Sequence, residues 1–184
     1  MKQRSLFGML ALLIFGLLFL QPAQAREKLK DNPFFQARTT PFRVPPFNKI
    51  NKAHYLPAFQ EGMRREQAEI DAITARKQAP SFANTIAAMD HSGIFLSEVS
   101  SVFYSLLSAE TSPELQAIAR DLSPLLSAHS DNINLNEKLF ARVKSVYDQR
   151  QKLTLTPEES FLLENTYKGF IRSGALLDTS GKTR

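Results

Sequence analysis

From residue 52 onward, apolar residues recur every three or four positions, and proline, glycine or hydroxyl residues break the recurrence at intervals. That period marks helices with one buried face. The spacing predicts a first helix over 52–76, with Tyr55, Phe59, Met63, Ile70 and Ile73 on the core stripe and Glu66 and Glu69 facing away. Pro57 fits its first turn, and Gly62 is a weak spot unless a neighbour packs close. A second helical stretch starts near Ser81, uses Phe82, Ile86 and Met89, and meets an interruption at Gly93. It resumes over 94–109 with an apolar sector wide enough to predict burial on more than one side. Thr111-Ser112-Pro113-Glu114 is a start signal for a third helix, which Pro124 should bend or divide. A fourth covers 136–153 through Leu139, Val143 and Val146. Thr156-Pro157-Glu158-Glu159 starts a fifth, whose pattern fades after Gly174. No strand alternation of useful length appears, and the helix interiors do not align as repeats. The expected fold class is all-α.

The first 51 residues behave differently. Lys2 and Arg4 precede an apolar run of 15 residues from Leu6 to Leu20, followed by Pro22 and Ala23-Gln24-Ala25. A positive start, an apolar middle and small residues at a cleavage point describe a secretory signal peptide over 1–25. The competing reading is a single membrane anchor, though a span wants roughly 20 apolar residues and this run is shorter. The expected product begins at Arg26 in an exported compartment, the periplasm for a Gram-negative source. Residues 26–51 carry Pro33, Pro41, Pro45 and Pro46, interleaved with Phe34, Phe35, Phe42 and Phe47. Proline enforces extended backbone and the rings favour burial, which predicts an arm docked by its rings on a helical body over 52–184.

Composition narrows the chemistry. There is no cysteine, which excludes disulfides, thiolate metal sites and a thiol nucleophile in this chain. Of 23 basic residues two lie in the leader, leaving 21 dispersed against 18 acids, which gives no nucleic-acid stripe. The three histidines, His54, His91 and His129, lack the i, i+4 spacing that lets two rings face one zinc ion. The paired acids Glu158-Glu159, Asp90 with Glu98, and Glu66 with Glu69 read as helix-start charge or solvated faces. No Gly-x-Ser-x-Gly turn or phosphate loop occurs. No catalytic, cofactor-binding or metal-ligating residue is nominated.

An ordered set of segments carries a resemblance. Asn32-Pro33-Phe34, Pro46-Phe47-Asn48-Lys49-Ile50 and His54-Tyr55-Leu56-Pro57-Ala58-Phe59-Gln60-Glu61-Gly62-Met63 come first. Glu69-Ile70-Asp71-Ala72-Ile73, Phe82-Ala83-Asn84-Thr85-Ile86 and Ser101-Val102-Phe103 follow. Leu135 to Val143 and Gly169 to Ala175 complete it. Together they resemble the opening of the peptidyl-dipeptidase branch of the thimet oligopeptidase family, over about residues 32 to 178. The resemblance implies a larger, clam-like, mostly helical zinc peptidase with a deep cleft that admits short peptides. It implies Zn2+ held by His-Glu-x-x-His on a helix plus a distant glutamate, several hundred residues further on. None of those residues falls on a position here, so Thr179 to Arg184 reads as a break inside a longer domain. The branch releases dipeptides from peptide C-termini; internal cleavage is the alternative. The full-length product is expected to be a monomer with peptide substrates, no nucleic-acid partner and no stable membrane association after leader removal. The chain alone is expected to be inactive, since peptide hydrolysis needs a strong nucleophile and a stabilised oxyanion. From the residues alone, a non-enzymatic exported helical binding module is the competing reading.

Overall fold

A computed structural model describes residues 31–177. Residues 1–30, with the expected leader, and the last seven residues lie outside the described residues. The chain divides into two compact units at the His54–Tyr55 boundary.

In the first unit, Pro33–Phe35, Pro41–Arg43 and Lys52–His54 form single 3-10 turns, so the arm is turned rather than continuously extended. Asn32 is buried and ties the unit's two ends together. Its Oδ1 accepts the Phe34 N–H at 3.1 Å, and its Nδ2 donates to the His54 carbonyl at 2.9 Å. Phe34 and Phe35 are half-buried, whereas Phe42 is 98% and Phe47 46% exposed.

The second unit holds six α-helices and no strand among the described residues. They are α1 (Tyr55–Thr74), α2 (Ala88–Asp90), α3 (Ile94–Ala109), α4 (Pro113–Asn134), α5 (Glu137–Asp148) and α6 (Pro157–Arg172). A π-helical segment, Phe82–Ala87, runs into α2. The all-α expectation holds. Caps set the boundaries: side-chain oxygens of Ser81, Ser112, Asn136 and Thr156 each accept an N–H of the following first turn. At α6 the Glu159 carboxylate also returns to the Thr156 N–H at 2.9 Å, closing a capping box.

Helix α1 is the spine, packing against α3, α4 and α5. Its C-terminal half joins one core with the π segment, α5 and α6: Ile70, Ile73, Ile86, Leu139, Phe140, Val143, Val146, Leu163 and Phe170. Its N-terminal half meets α3 through rings in edge contact, with Tyr55 and Phe59 at 5.0 and 5.5 Å from Phe103. Such edge geometry adds to plain burial.

Two helix expectations change. Helix α3 buries only Val99, Val102 and Phe103; Ile94 and Tyr104 are exposed. Ser97, Ser101, Ser105 and Ser108 occupy its outer side, so the apolar sector is narrower than its residue count suggests. Helix α4 continues through Pro124 undivided. The ring sits on the exposed side, and the buried Leu115 and Leu122 before it and His129 after it anchor both halves.

Candidate functional site

Polar chemistry in the second unit gathers on the inner side of α1. Phe59, Gly62, Glu66, Glu69 and Ile73 lie three or four residues apart and so share one face. At Gly62, a Cβ would meet the Leu96 Cα at 3.1 Å, so glycine lets α3 approach the α1 backbone. One turn later Glu66 reaches α4: the His129 Nε2 lies 2.8 Å from the Glu66 Oε2. An ionised carboxylate only accepts, so the imidazole N–H donates. Another turn on, Glu69 accepts the Gly93 N–H at 2.8 Å. Gly93 itself has φ +69° and is buried against the Glu66 carboxylate. The expectation that Glu66 faces away is therefore overturned: it is half-buried, and the α4 imidazole offsets that burial. Glu69 is exposed, as expected, yet its carboxylate reaches the α2–α3 turn. His129 lies inside α4.

A groove of about 330 Å³ opens beside this pair, lined by Glu66, Leu96, Leu126, His129, Ser130, Ile133 and Asn134. Its donor set does not fit zinc. Glu66 and His129 are already bonded to each other, and no group of three His, Cys, Asp or Glu forms among the described residues. Zinc sites in proteins take three or four such ligands.

The other histidines are apart from it. His54 accepts the Asn51 N–H through Nδ1 at 3.1 Å in the first unit. His91 is exposed at the end of α2, its ring nitrogen 2.7 Å from the Ala87 carbonyl. Glu158 and Glu159 stand in the first turn of α6; hydrogen bonds from its own backbone N–H and from Thr156 hold the Glu158 carboxyl below the usual range.

A second polar centre lay hidden inside an apolar run. Arg142 on α5 is buried, and its Nη1 donates to the Arg76 carbonyl at 3.1 Å and its Nη2 to the Asn84 Oδ1 at 2.9 Å. Burial, then the nearby Arg76 charge, presses its pKa down. Its Nε has no partner among the described residues. It fixes the loop after α1 and the π segment onto α5.

What the site can do is hold helices; comparison with known proteins says what they belong to. No family profile matches the chain. The dipeptidyl carboxypeptidase of Salmonella typhimurium is 40% identical over 156 residues, covering 85% of this chain and 23% of that protein. That of Escherichia coli K12 is 40% identical over 153 residues, 83% of this chain and 22% of the relative. Oligopeptidase A of Escherichia coli K12 is 26% identical over 135 residues, 73% and 20% of the two chains. The chain thus belongs to the thimet oligopeptidase family of peptidases. Within it the likeness is to the peptidyl-dipeptidase branch, since identity is higher to the dipeptidyl carboxypeptidases. The chain spans under a quarter of the length of the curated relatives it matches.

Proposed function

We propose that this chain is the helical N-terminal portion of a peptidase that hydrolyses short peptides and releases dipeptides from their C-termini. The observation that carries the reading is the 40% identity to two dipeptidyl carboxypeptidases over more than four-fifths of the chain. The family resemblance implies zinc as the source of the hydrolytic chemistry. The described residues do not offer its ligands, so the proposal places them in the part of the longer protein beyond the matched segment. This chain's own contribution is packing: α1 as spine, with Glu66–His129 and Arg142 holding its neighbours in register. We also propose export, on the strength of the sequence pattern of residues 1–25, with a mature start at Arg26.

The test uses the full-length product incubated with N-blocked tetrapeptides. The proposal predicts C-terminal dipeptides by mass spectrometry, loss of activity with a chelator, and an N-terminus at Arg26 in protein recovered from the exported fraction. Cleavage inside longer peptides with no dipeptide release would favour the oligopeptidase A type of activity. Activity indifferent to chelation would overturn the zinc reading.

A further inference from the structure

Within the second unit, Tyr147 of α5 and Tyr167 of α6 lie face to face. Their ring centroids are 3.8 Å apart and their planes differ by 6°. Aromatic pairs usually sit offset or edge-on, with centroids about 4.5–7 Å apart, because two negative ring faces repel. Carbon atoms in contact keep the planes about 3.5 Å apart, so the lateral offset here is at most about 1.5 Å. The two rings therefore overlap over much of their area, carbon against carbon.

The neighbours hold the stack in place. The Arg150 guanidinium lies 4.1 Å above the Tyr147 ring, on the face that Tyr167 leaves open, and its Nη1 donates to the Tyr147 carbonyl at 3.0 Å. A cation there draws on the negative ring face and weakens the repulsion between the two tyrosines. Phe140 stacks with Tyr167 at 6.0 Å and with Phe170 at 5.8 Å, which ties the pair to the shared core. Redox chemistry also singles the pair out. The chain has no cysteine and no tryptophan. Methionine oxidises by taking up oxygen to become the sulfoxide. An electron removed from this chain is therefore drawn from tyrosine. Of the four tyrosines, Tyr55 and Tyr104 contact phenylalanines instead.

We propose that Tyr147 and Tyr167 are a site of oxidative cross-linking, coupled to dityrosine by a one-electron oxidant of the kind that peroxides generate. Each phenol gives one electron to the oxidant and its O–H proton to water, leaving two neutral phenoxyl radicals. The unpaired electrons, shared onto the Cε carbons, pair to form one C–C bond between the rings. Each joined carbon then releases its hydrogen as a proton, and each phenoxyl oxygen takes one up again. In sum two C–H bonds break, one C–C bond forms, and two electrons and two protons leave; hydrogen peroxide accepts them as two waters. The new bond turns the rings edge to edge and joins α5 to α6 in a chain that has no disulfide. The contact lies wholly within the second unit, so the proposal stands apart from the peptidase reading.

The test oxidises the dilute full-length protein with photogenerated tris(bipyridyl)ruthenium(III), an outer-sphere one-electron oxidant, with persulfate as the final electron acceptor. Digestion and mass spectrometry should find two peptides of one molecule joined through Tyr147 and Tyr167, lighter by two hydrogens and carrying the blue fluorescence of dityrosine. The yield should not change with protein concentration. It should fall by about tenfold in urea, where the intervening chain no longer holds the rings together. Y147F and Y167F keep both rings of the stack and should each abolish the product. A native yield no greater than that in urea would overturn the proposal. So would cross-links that form only between molecules, or a preference of either ring for another tyrosine.

Discussion

Glu66 looks like a surface acid in the sequence because its neighbours Arg64 and Arg65 are exposed and charged. What turns it inward lies 63 residues away in His129, and in a glycine at position 93 that leaves room for the carboxylate. Neither signal is local, so hydropathy could not carry it. Arg142 was equally hidden, a charged residue within the run Leu139 to Val146. Removing its guanidinium takes a donor from the Arg76 carbonyl and one of three from the Asn84 oxygen, which keeps the Ser81 N–H and the Thr85 hydroxyl. Arg142→Met should destabilise the fold by about 1–3 kcal/mol, read as a lower urea midpoint. An unchanged midpoint would show that water replaces those bonds.

Glu61 offers a pH test at the same scale. The hydrogen bond from Arg64, helped by Arg65, lowers its carboxyl from 4.5 to about 2. A lowered folded-state pKa stabilises above the unfolded value, and that contribution is lost as pH falls from 4.5 toward 2. Both arginines are well exposed, so the effect is under about 1 kcal/mol. Glu61→Gln should flatten the acid limb of stability in that window at low salt, and the difference should shrink at high salt. An acid limb identical to the parent's would remove the ion pair from the account.

Elements were the most legible scale. Start signals at Ser112-Pro113 and Thr156-Pro157 became real caps, because capping depends on a few adjacent residues. The stripe residues Phe59, Ile70, Ile73, Leu139, Val143 and Val146 are all buried. Errors came where tertiary context overrides local preference. Pro124 breaks isolated helices, yet α4 stays whole because contacts hold both of its halves. The outer side of α3 is serine-lined, which the count of apolar residues concealed. Gly93 ties α1 to the α2–α3 turn, so it gives a test of element packing. Gly93→Ala forces a Cβ to 2.5 Å from the Glu66 Oε1 at φ +69°. The substitution should cost about 2 kcal/mol in thermal or chemical unfolding and loosen the His129 contact. Gly62→Ala should also destabilise, through Leu96, but with Glu66–His129 intact by the imidazole's NMR signal. Equal loss of that signal in both variants would contradict the separation.

At the scale of the molecule, fold class was readable and catalysis was not. Helical period is written in every turn, whereas a catalytic centre depends on residues brought together from distant segments. The ordered resemblance reached the family, and the relatives' names and identities agree with it. The described helices form a packed scaffold with a spine, a shared core and two polar fasteners, and the histidines in them serve caps and contacts. The central claim is that hydrolysis resides outside these residues. The most direct measurement is the turnover of an N-blocked tetrapeptide by the full-length protein carrying His54→Asn, His91→Asn and His129→Gln together. The account predicts that kcat stays within about threefold of the parent and that a chelator abolishes activity in both, since no zinc ligand or proton-transfer group has been removed. Abolished turnover in a variant that still folds would place the chemistry in this chain and contradict the account.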